Sequence, residues 1–312
     1  MSRPLVSIVV PTFNGGATLR QLLAAVAEQT SDFEREILAV DSGSTDETLA
    51  VLRDHGVAVF SVPPSAFNHG ETRNAALARA RGEVAILMVQ DAVPAHRDWL
   101  TSLVTPLLED HTLAGTFARQ QPWPDASRLT VHYLTRWVAS QPIARTRAPL
   151  TSGEFEALPP AERHLACAFD NVCSCIRLSV WRAHPFRATP IAEDLEWAKE
   201  VLSAGHRLAY VPAAVVWHSH ERRVKYEFHR TYRVHQRLQS LFGLSTVPTV
   251  FALVRAVCTT FPTHVRLAVS EPRRRTHALV RAAGLSVALP LGQYLGARSA
   301  REGRELLHTE GV

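Results

Sequence analysis

The sequence predicts an α/β fold: a mostly parallel sheet flanked by helices, followed by a helical extension. Two observations predict it. Four short, strongly apolar segments recur in the first ninety residues, and the stretches between them carry apolar residues at helical spacing. Three of the apolar segments run straight into polar clusters, Thr12-Phe13-Asn14, Asp41-Ser42 and Gln90-Asp91. Apolar strands alternating with amphipathic helices imply a parallel sheet covered on both faces. In such sheets ligands bind beyond the carboxyl ends of the strands, where these clusters stand.

In chain order, Leu5–Val10 reads as the first strand, closed by Pro11 and the turn Asn14-Gly15-Gly16. Leu19, Leu22, Leu23, Val26 and Ala27 mark the first helix, and Glu36–Val40 the second strand. A helix carrying Leu49 and Leu52 leads to strand Val57–Val62, and Gly70 opens a helix over Glu71–Arg81. Val84–Val89 is the fourth strand. The stretch Thr112–Pro190 is less regular and rich in proline. Phe169–Ile176 reads as a strand, and Ile191–Ala204 as a helix with Trp197, Ala198, Val201 and Leu202 inward. Leu208–Val211 and Val215–Trp217 are two short strands, and the chain is helical and amphipathic from Val224 onward.

A chain of 312 residues with 46% hydrophobic residues suits one large domain or a domain with an appendage, and it excludes disorder and disulfide scaffolds. Cys167, Cys173, Cys175 and Cys258 contain no C-x-x-C pair; Cys173 and Cys175, alternate in a strand, read as buried thiols, and four cysteines fit a reducing cytoplasm. The apolar run Leu5–Val10 is too short for a secretory leader. The net charge of +5 is unevenly spread, with a basic run from Arg222 to Arg281 that includes Arg273 and Arg274. Such a face suits an anionic surface or a solvated helix. Without a recognised module or interleaved aromatics, no nucleic-acid partner is expected. Val247–Val269 and Ala278–Leu295 are apolar but interrupted by Arg255, His264, Arg266, Arg281 and Pro290, so neither is a clean spanning segment. No G-x-G-x-x-G or P-loop is present, so a nucleotide here would be held by side chains more than by a glycine cradle.

Val6–Asn14 (VSIVVPTFN) and Leu38–Thr48 (LAVDSGSTDET), with the helix after the fourth strand, resemble glycosyltransferase family 2 and its GT-A fold. The segments Phe67–Asn74, Gln90–Pro94, Phe169–Ser174 and Val216–His220 look like that family's rhamnosyltransferase branch. The resemblance implies a GT-A domain over 1–222, with a donor-nucleotide half at 1–110 and an acceptor half at 111–222. A basic helical extension would follow over 223–312. It implies inverting transfer of a sugar, L-rhamnose from dTDP-L-rhamnose, to a glycan or polyprenyl-linked acceptor. Such an enzyme would be cytoplasmic, with peripheral contact to the inner face of the cell membrane.

The residue roles follow from the same resemblance. The departing diphosphate gains negative charge, which Mg2+ or Mn2+ would offset. The family's D-x-D is Val89-Gln90-Asp91 here, so Asp91 alone remains to meet the metal, with His218 as a second ligand. Asp194 of the Glu193-Asp194 pair would be the general base, with Glu193 orienting it or binding acceptor. Thr12, Asn14, Asp41, Ser42, Arg73, Gln90 and Asp91 would hold the donor. Asp170, Asn171, Trp197 and His220 would meet the acceptor, with His220 able to donate to phosphate. The alternatives are a UDP- or GDP-hexose transferase and a sugar-nucleotide-binding protein without catalysis.

Overall fold

The computed structural model describes residues 3–271 and 275–304. Among the described residues nine strands form one sheet: β1 (Leu5–Thr12), β2 (Glu34–Asp41), β3 (Ala58–Ser61), β4 (Val84–Met88), β5 (Val93–Pro94), β6 (Leu113–Gln121), β7 (Arg145–Arg147), β8 (Cys173–Arg177) and β9 (Arg207–Trp217). Their order is β3-β2-β1-β4-β8-β6-β9-β5, with β7 also pairing β9. The first four strands are mutually parallel, and β1 lies between β2 and β4. Val6, Ile8, Val9 and Val10 are wholly buried, as expected of a strand covered on both faces. β8 runs antiparallel to both β4 and β6, and β9 then runs parallel to β6.

The helices are α1 (Gly16–Ala27), α2 (Thr48–Asp54), α3 (His69–Leu77), α4 (Trp99–Glu109), α5 (Arg128–Leu134), α6 (Ser152–Ala157), α7 (Pro160–Ala166), α8 (Leu178–Ala183), α9 (Glu193–Ser203), α10 (Val224–Phe242), α11 (Val250–Val269) and α12 (Arg275–Arg301). The chain divides into two units. The first is Met1–Gln121, Trp137–Ala157 and Ala166–His218, and it holds the whole sheet. The second is Pro122–Arg136, Leu158–Leu165 and Ser219–Val312, and its described residues are mostly helical.

Within the first unit, three elements depart from the sequence reading. β8 begins at Cys173, so Asp170 and Asn171 form the turn before the strand, where the Asp170 carboxylate accepts the Val172 N–H at 3.0 Å. The two expected short strands are one, β9, which carries a register shift opposite Ala118 and Arg119. β6 was hidden in the irregular middle because it reads LAGTFARQQ, ending in polar residues that dilute the strand signal.

In the second unit, Leu129, Ala268, Ala282 and Leu285 form a small core. His264 is buried there, between the Tyr133 hydroxyl and Ser286 Oγ. α11 leaves Phe251 79% exposed and Val254 56% exposed, with Phe261 and Val269 also exposed and Arg255 and Arg266 beside them. Among the described residues α12 is one helix long and apolar enough, by length and composition, to cross a membrane. Arg273 and Arg274 of the basic run lie outside the described residues.

The sharpest packing constraint in the first unit falls on α3. Asn68 caps it, its side-chain oxygen accepting from the N–H groups of Gly70 and Glu71 and also from Thr189. A Cβ on Gly70 would lie 2.0 Å from the Arg187 carbonyl oxygen, so only glycine allows this approach. Gly70→Ala should destabilise the fold by about 1–3 kcal/mol, since backbone must move to admit the methyl group. Urea unfolding measures it, and an unchanged midpoint would contradict the close contact.

Candidate active site at the carboxyl ends of the parallel strands

The three polar clusters meet where β1, β2 and β4 end. Asp41 is 1% exposed, and its carboxylate accepts from Thr12 Oγ1 at 3.1 Å and from the Gly43 and Ser44 N–H groups at 3.0 and 2.9 Å. It therefore pins the turn after β2. Asn14 takes a left-handed conformation, φ 47°, which asparagine tolerates better than most residues. Its side-chain oxygen accepts the Thr45 N–H at 2.8 Å, tying the two loops together. Ser42 Oγ is buried and has no hydrogen-bond partner among the described residues.

Gln90 does something a carboxylate could not. Its amide oxygen accepts the Phe13 N–H at 3.0 Å and its amide nitrogen donates to the Phe13 carbonyl at 2.9 Å. Gln90 thus latches the loop after β1, and the sequence reading had assigned its amide to the donor.

Asp91 and His218 are neighbours because β5 pairs with the end of β9, Val93 opposite Trp217. His218 Nε2 lies 3.8 Å from Asp91 Oδ1, and both side chains retain partial exposure. Asp91 and His218, both in the first unit, are side chains that could hold a cation. One carboxylate and one imidazole separated by less than twice a ~2.1 Å metal–ligand bond fit a divalent ion, which would keep open positions for substrate oxygens. The Cys173 and Cys175 thiols are buried on β8 and pushed well up by burial, so they remain protonated core groups.

The acid pair opens α9 directly after Ala192, which sits in the left-handed region at φ 62°. For alanine that conformation costs about 1–2 kcal/mol, a strain held by the surrounding contacts. Glu193 is buried and paired with Arg73 at 2.8 Å. It also accepts from Asn171 Nδ2 at 3.2 Å. Despite the raising effect of burial, the Arg73 and His69 charges and the Asn171 bond hold its pKa below the usual value. Asp194 goes the other way. Burial first, then the Glu193 and Asp170 charges, raise it well above the ordinary carboxylate range, although it accepts the Asn171 and Leu195 N–H groups at 3.2 and 2.8 Å. Two adjacent acids are thus driven apart, one kept ionised and one inclined to hold a proton.

Besides that of Gln90, three predicted roles need correction. Arg73, expected to reach a diphosphate, is 4% exposed and committed to Glu193, with its Nε buried and unpartnered among the described residues. Asn171, expected to meet an acceptor, is 2% exposed, and both ends of its side chain are engaged, by Glu193 and by Ser174. Trp197 is 1% exposed, donates to the His184 carbonyl at 2.9 Å and packs on Phe169 and Phe186, leaving no face for a sugar. Asp170 is partly exposed but holds Gln120 and Trp137, at 2.6 and 2.8 Å. Gln120, which the sequence did not single out, also meets His218 Nδ1 at 2.9 Å.

The Glycosyl transferase family 2 model matches residues 7–154 of this chain. The O-antigen chain rhamnosyltransferase RfbN of Salmonella typhimurium is 31% identical over 73% of this chain and 70% of its own length. WbaN of Salmonella anatum, described in the same words, is 28% identical with the same coverage. Among solved structures, the Pyrobaculum calidifontis mannosyltransferase PcManGT, in complex with GDP-Man and Mn2+, superposes with a TM-score of 0.60 at 18% identity, covering 98% of this chain and 89% of its own. Glucosyl-3-phosphoglycerate synthase of Mycobacterium tuberculosis, with Mn2+, UDP and glucosyl-3-phosphoglycerate, gives 0.56 at 20% identity over 79% of this chain and 83% of its own. Those two show a shared fold.

The raised Asp194 has a consequence for stability. The folded chain holds that proton more tightly than the unfolded chain. The resulting stabilisation is complete below the unfolded pKa and lost as pH rises through the folded one. Asp194→Asn cannot ionise. The melting temperature of the variant relative to wild type should therefore climb as pH rises above about 4, the value of an unfolded aspartate. A difference that stays flat across that range would contradict the assignment.

Proposed function

The chain belongs to glycosyltransferase family 2, and with that as premise we propose that it transfers L-rhamnose, with inversion, from dTDP-L-rhamnose to a hydroxyl of a glycan or polyprenyl-linked acceptor. Its fold is the GT-A fold. The named activity of RfbN and WbaN supports the rhamnosyl donor. The chemistry rests on one observation within the first unit: a partly exposed, proton-retaining Asp194 is joined to the Asp91–His218 pair through Asn171, Asp170 and Gln120.

In this reading the ionised form of Asp194 takes the proton of the acceptor hydroxyl as that oxygen attacks the anomeric carbon. The bond from that carbon to the diphosphate oxygen breaks, and its electron pair leaves with the nucleotide. One base and one displacement invert the centre, so a β-linked donor gives an α-L-rhamnoside. Glu193, held ionised by Arg73, fixes a second negative charge beside Asp194 and so makes the ionised Asp194 a stronger base. A divalent cation, Mg2+ or Mn2+, held by Asp91 and His218, would offset the charge on the departing diphosphate. Thr12, Asn14, Asp41 and Gln90 fix the loops around the nucleotide, and Ser42, with its unpartnered hydroxyl, is available to the donor.

The second unit supports peripheral contact with an anionic membrane surface. The exposed apolar side chains of α11 lie beside Arg255 and Arg266, the composition of a helix resting at a lipid interface.

Two measurements test this reading. Purified protein offered dTDP-L-rhamnose, UDP-glucose and GDP-mannose, each with Mn2+ or chelator, should release nucleotide chiefly from the first and only with the ion. In the same assay Asp194→Asn should lose about 10²–10⁴-fold in turnover while binding donor as before, and preference for another donor would overturn the rhamnosyl assignment. In flotation with phosphatidylglycerol vesicles, wild type should rise with the lipid in low salt and Phe251→Glu should stay behind. Equal behaviour of the two would remove the membrane contact.

A further inference from the structure

We propose that Gln120 is a positioning residue that fixes the tautomer of His218 and so aims the lone pair of its Nε2 at the cation site beside Asp91. This rests on the reading of His218 as a metal ligand and adds the device that makes it one.

The inference follows from donors and acceptors alone. Asp170 acts as an acceptor at both oxygens. Oδ1 receives the Val172 N–H at 3.0 Å, and Oδ2 receives the Trp137 indole N–H at 2.8 Å. The amide group of Gln120 that approaches Oδ2 at 2.6 Å must therefore be its NH2. That leaves the amide oxygen facing His218 Nδ1 at 2.9 Å. An amide oxygen only accepts, so Nδ1 must carry the proton. In the neutral ring Nε2 is then unprotonated, and it is Nε2 that lies 3.8 Å from Asp91 Oδ1.

The backbone holds this arrangement in place. Gln120 is 4% exposed and paired with Val216 across the β6–β9 ladder, and the His218 N–H donates to the Gln121 carbonyl at 2.9 Å. The amide cannot flip without setting its NH2 against Nδ1–H and its oxygen against the Asp170 carboxylate. A hydrogen-bonded partner of this kind selects the tautomer and steadies the ring of a metal-binding histidine, and losing one typically costs 10–100-fold in metal affinity.

The test uses the full chain and reads two signals. First, 15N NMR of the imidazoles without metal, at a pH where His218 is neutral, should show the Nδ1–H form in wild type. Gln120→Met should shift His218 toward the Nε2–H form. Gln120→Glu, protonated on the oxygen that meets Asp170 and accepting from Nδ1 with the other, should preserve the original tautomer. Second, Mn2+ binding followed by electron paramagnetic resonance should weaken about 10–100-fold in Gln120→Met and recover in large part in Gln120→Glu. An Nε2–H tautomer in wild type overturns the proposal even if every variant misfolds. So does Gln120→Met that keeps both the tautomer and the Mn2+ affinity. An Nδ1–H tautomer in a wild-type protein that binds no Mn2+ would instead sink the metal reading and leave the hydrogen-bonded relay standing.

Discussion

Everything at the candidate site depends on the antiparallel insertion of β8 between β4 and β6. Met88 lies opposite Cys173, and the Val89 N–H donates to the Val172 carbonyl at 3.0 Å. Because β8 runs backwards, its beginning and not its end meets the carboxyl rim of β4. That brings Asp170 and Asn171 beside Gln90 and Asp91. Because β8 is antiparallel to both neighbours, β6 resumes the direction of β4 and β9 follows it. The far ends of β6 and β9, carrying Gln120 and His218, therefore return to the same rim. One reversal gathers residues about 130 positions apart in sequence without any long loop crossing the sheet.

Electrostatics then sorts what topology has gathered. Two neighbouring carboxylates in one partly dry place cannot both ionise cheaply. Arg73 settles which one does, by pairing with Glu193 at 2.8 Å where both are shielded from water. A buried pair of this kind adds little net stability, but removing one partner strands the other charge. Its service to the site is to fix a negative charge beside Asp194 and so keep that proton available for exchange. The strained Ala192 immediately before the pair fits a segment whose geometry is imposed by surrounding contacts.

Much of the first unit was legible because strands buried on both faces read as unbroken apolar runs, and β1, β2 and β4 did so. Asp91, His218 and Asp194 could be named only through the motifs around them. Gln120 could not be named at all. It is one of two glutamines ending a strand with a weak signal, and its partners lie 50 and 98 residues away. Arg73 was misassigned because nothing near it in sequence announces Glu193. Trp197 was avoidable: the helical spacing already set it on the inner face with Ala198 and Val201, and that face is core. Local pattern reveals which way a side chain points, whereas hydrogen-bond partners are fixed by strand neighbours that the pattern does not reveal.

The Gln90 latch bears on how this site could change over time. A methyl group on Gly15 would come 2.2 Å from Gln90 Oε1, so the glycine and the amide are fitted to each other. Replacing Gln90 with aspartate would add an acid beside the cation site, yet it would leave the Phe13 carbonyl without its donor. An acid gained at position 90 itself would therefore require the loop after β1 to be remodelled. Positions 15 and 90 should change together, whereas position 13 joins the latch through its backbone alone and accepts any residue that keeps its N–H.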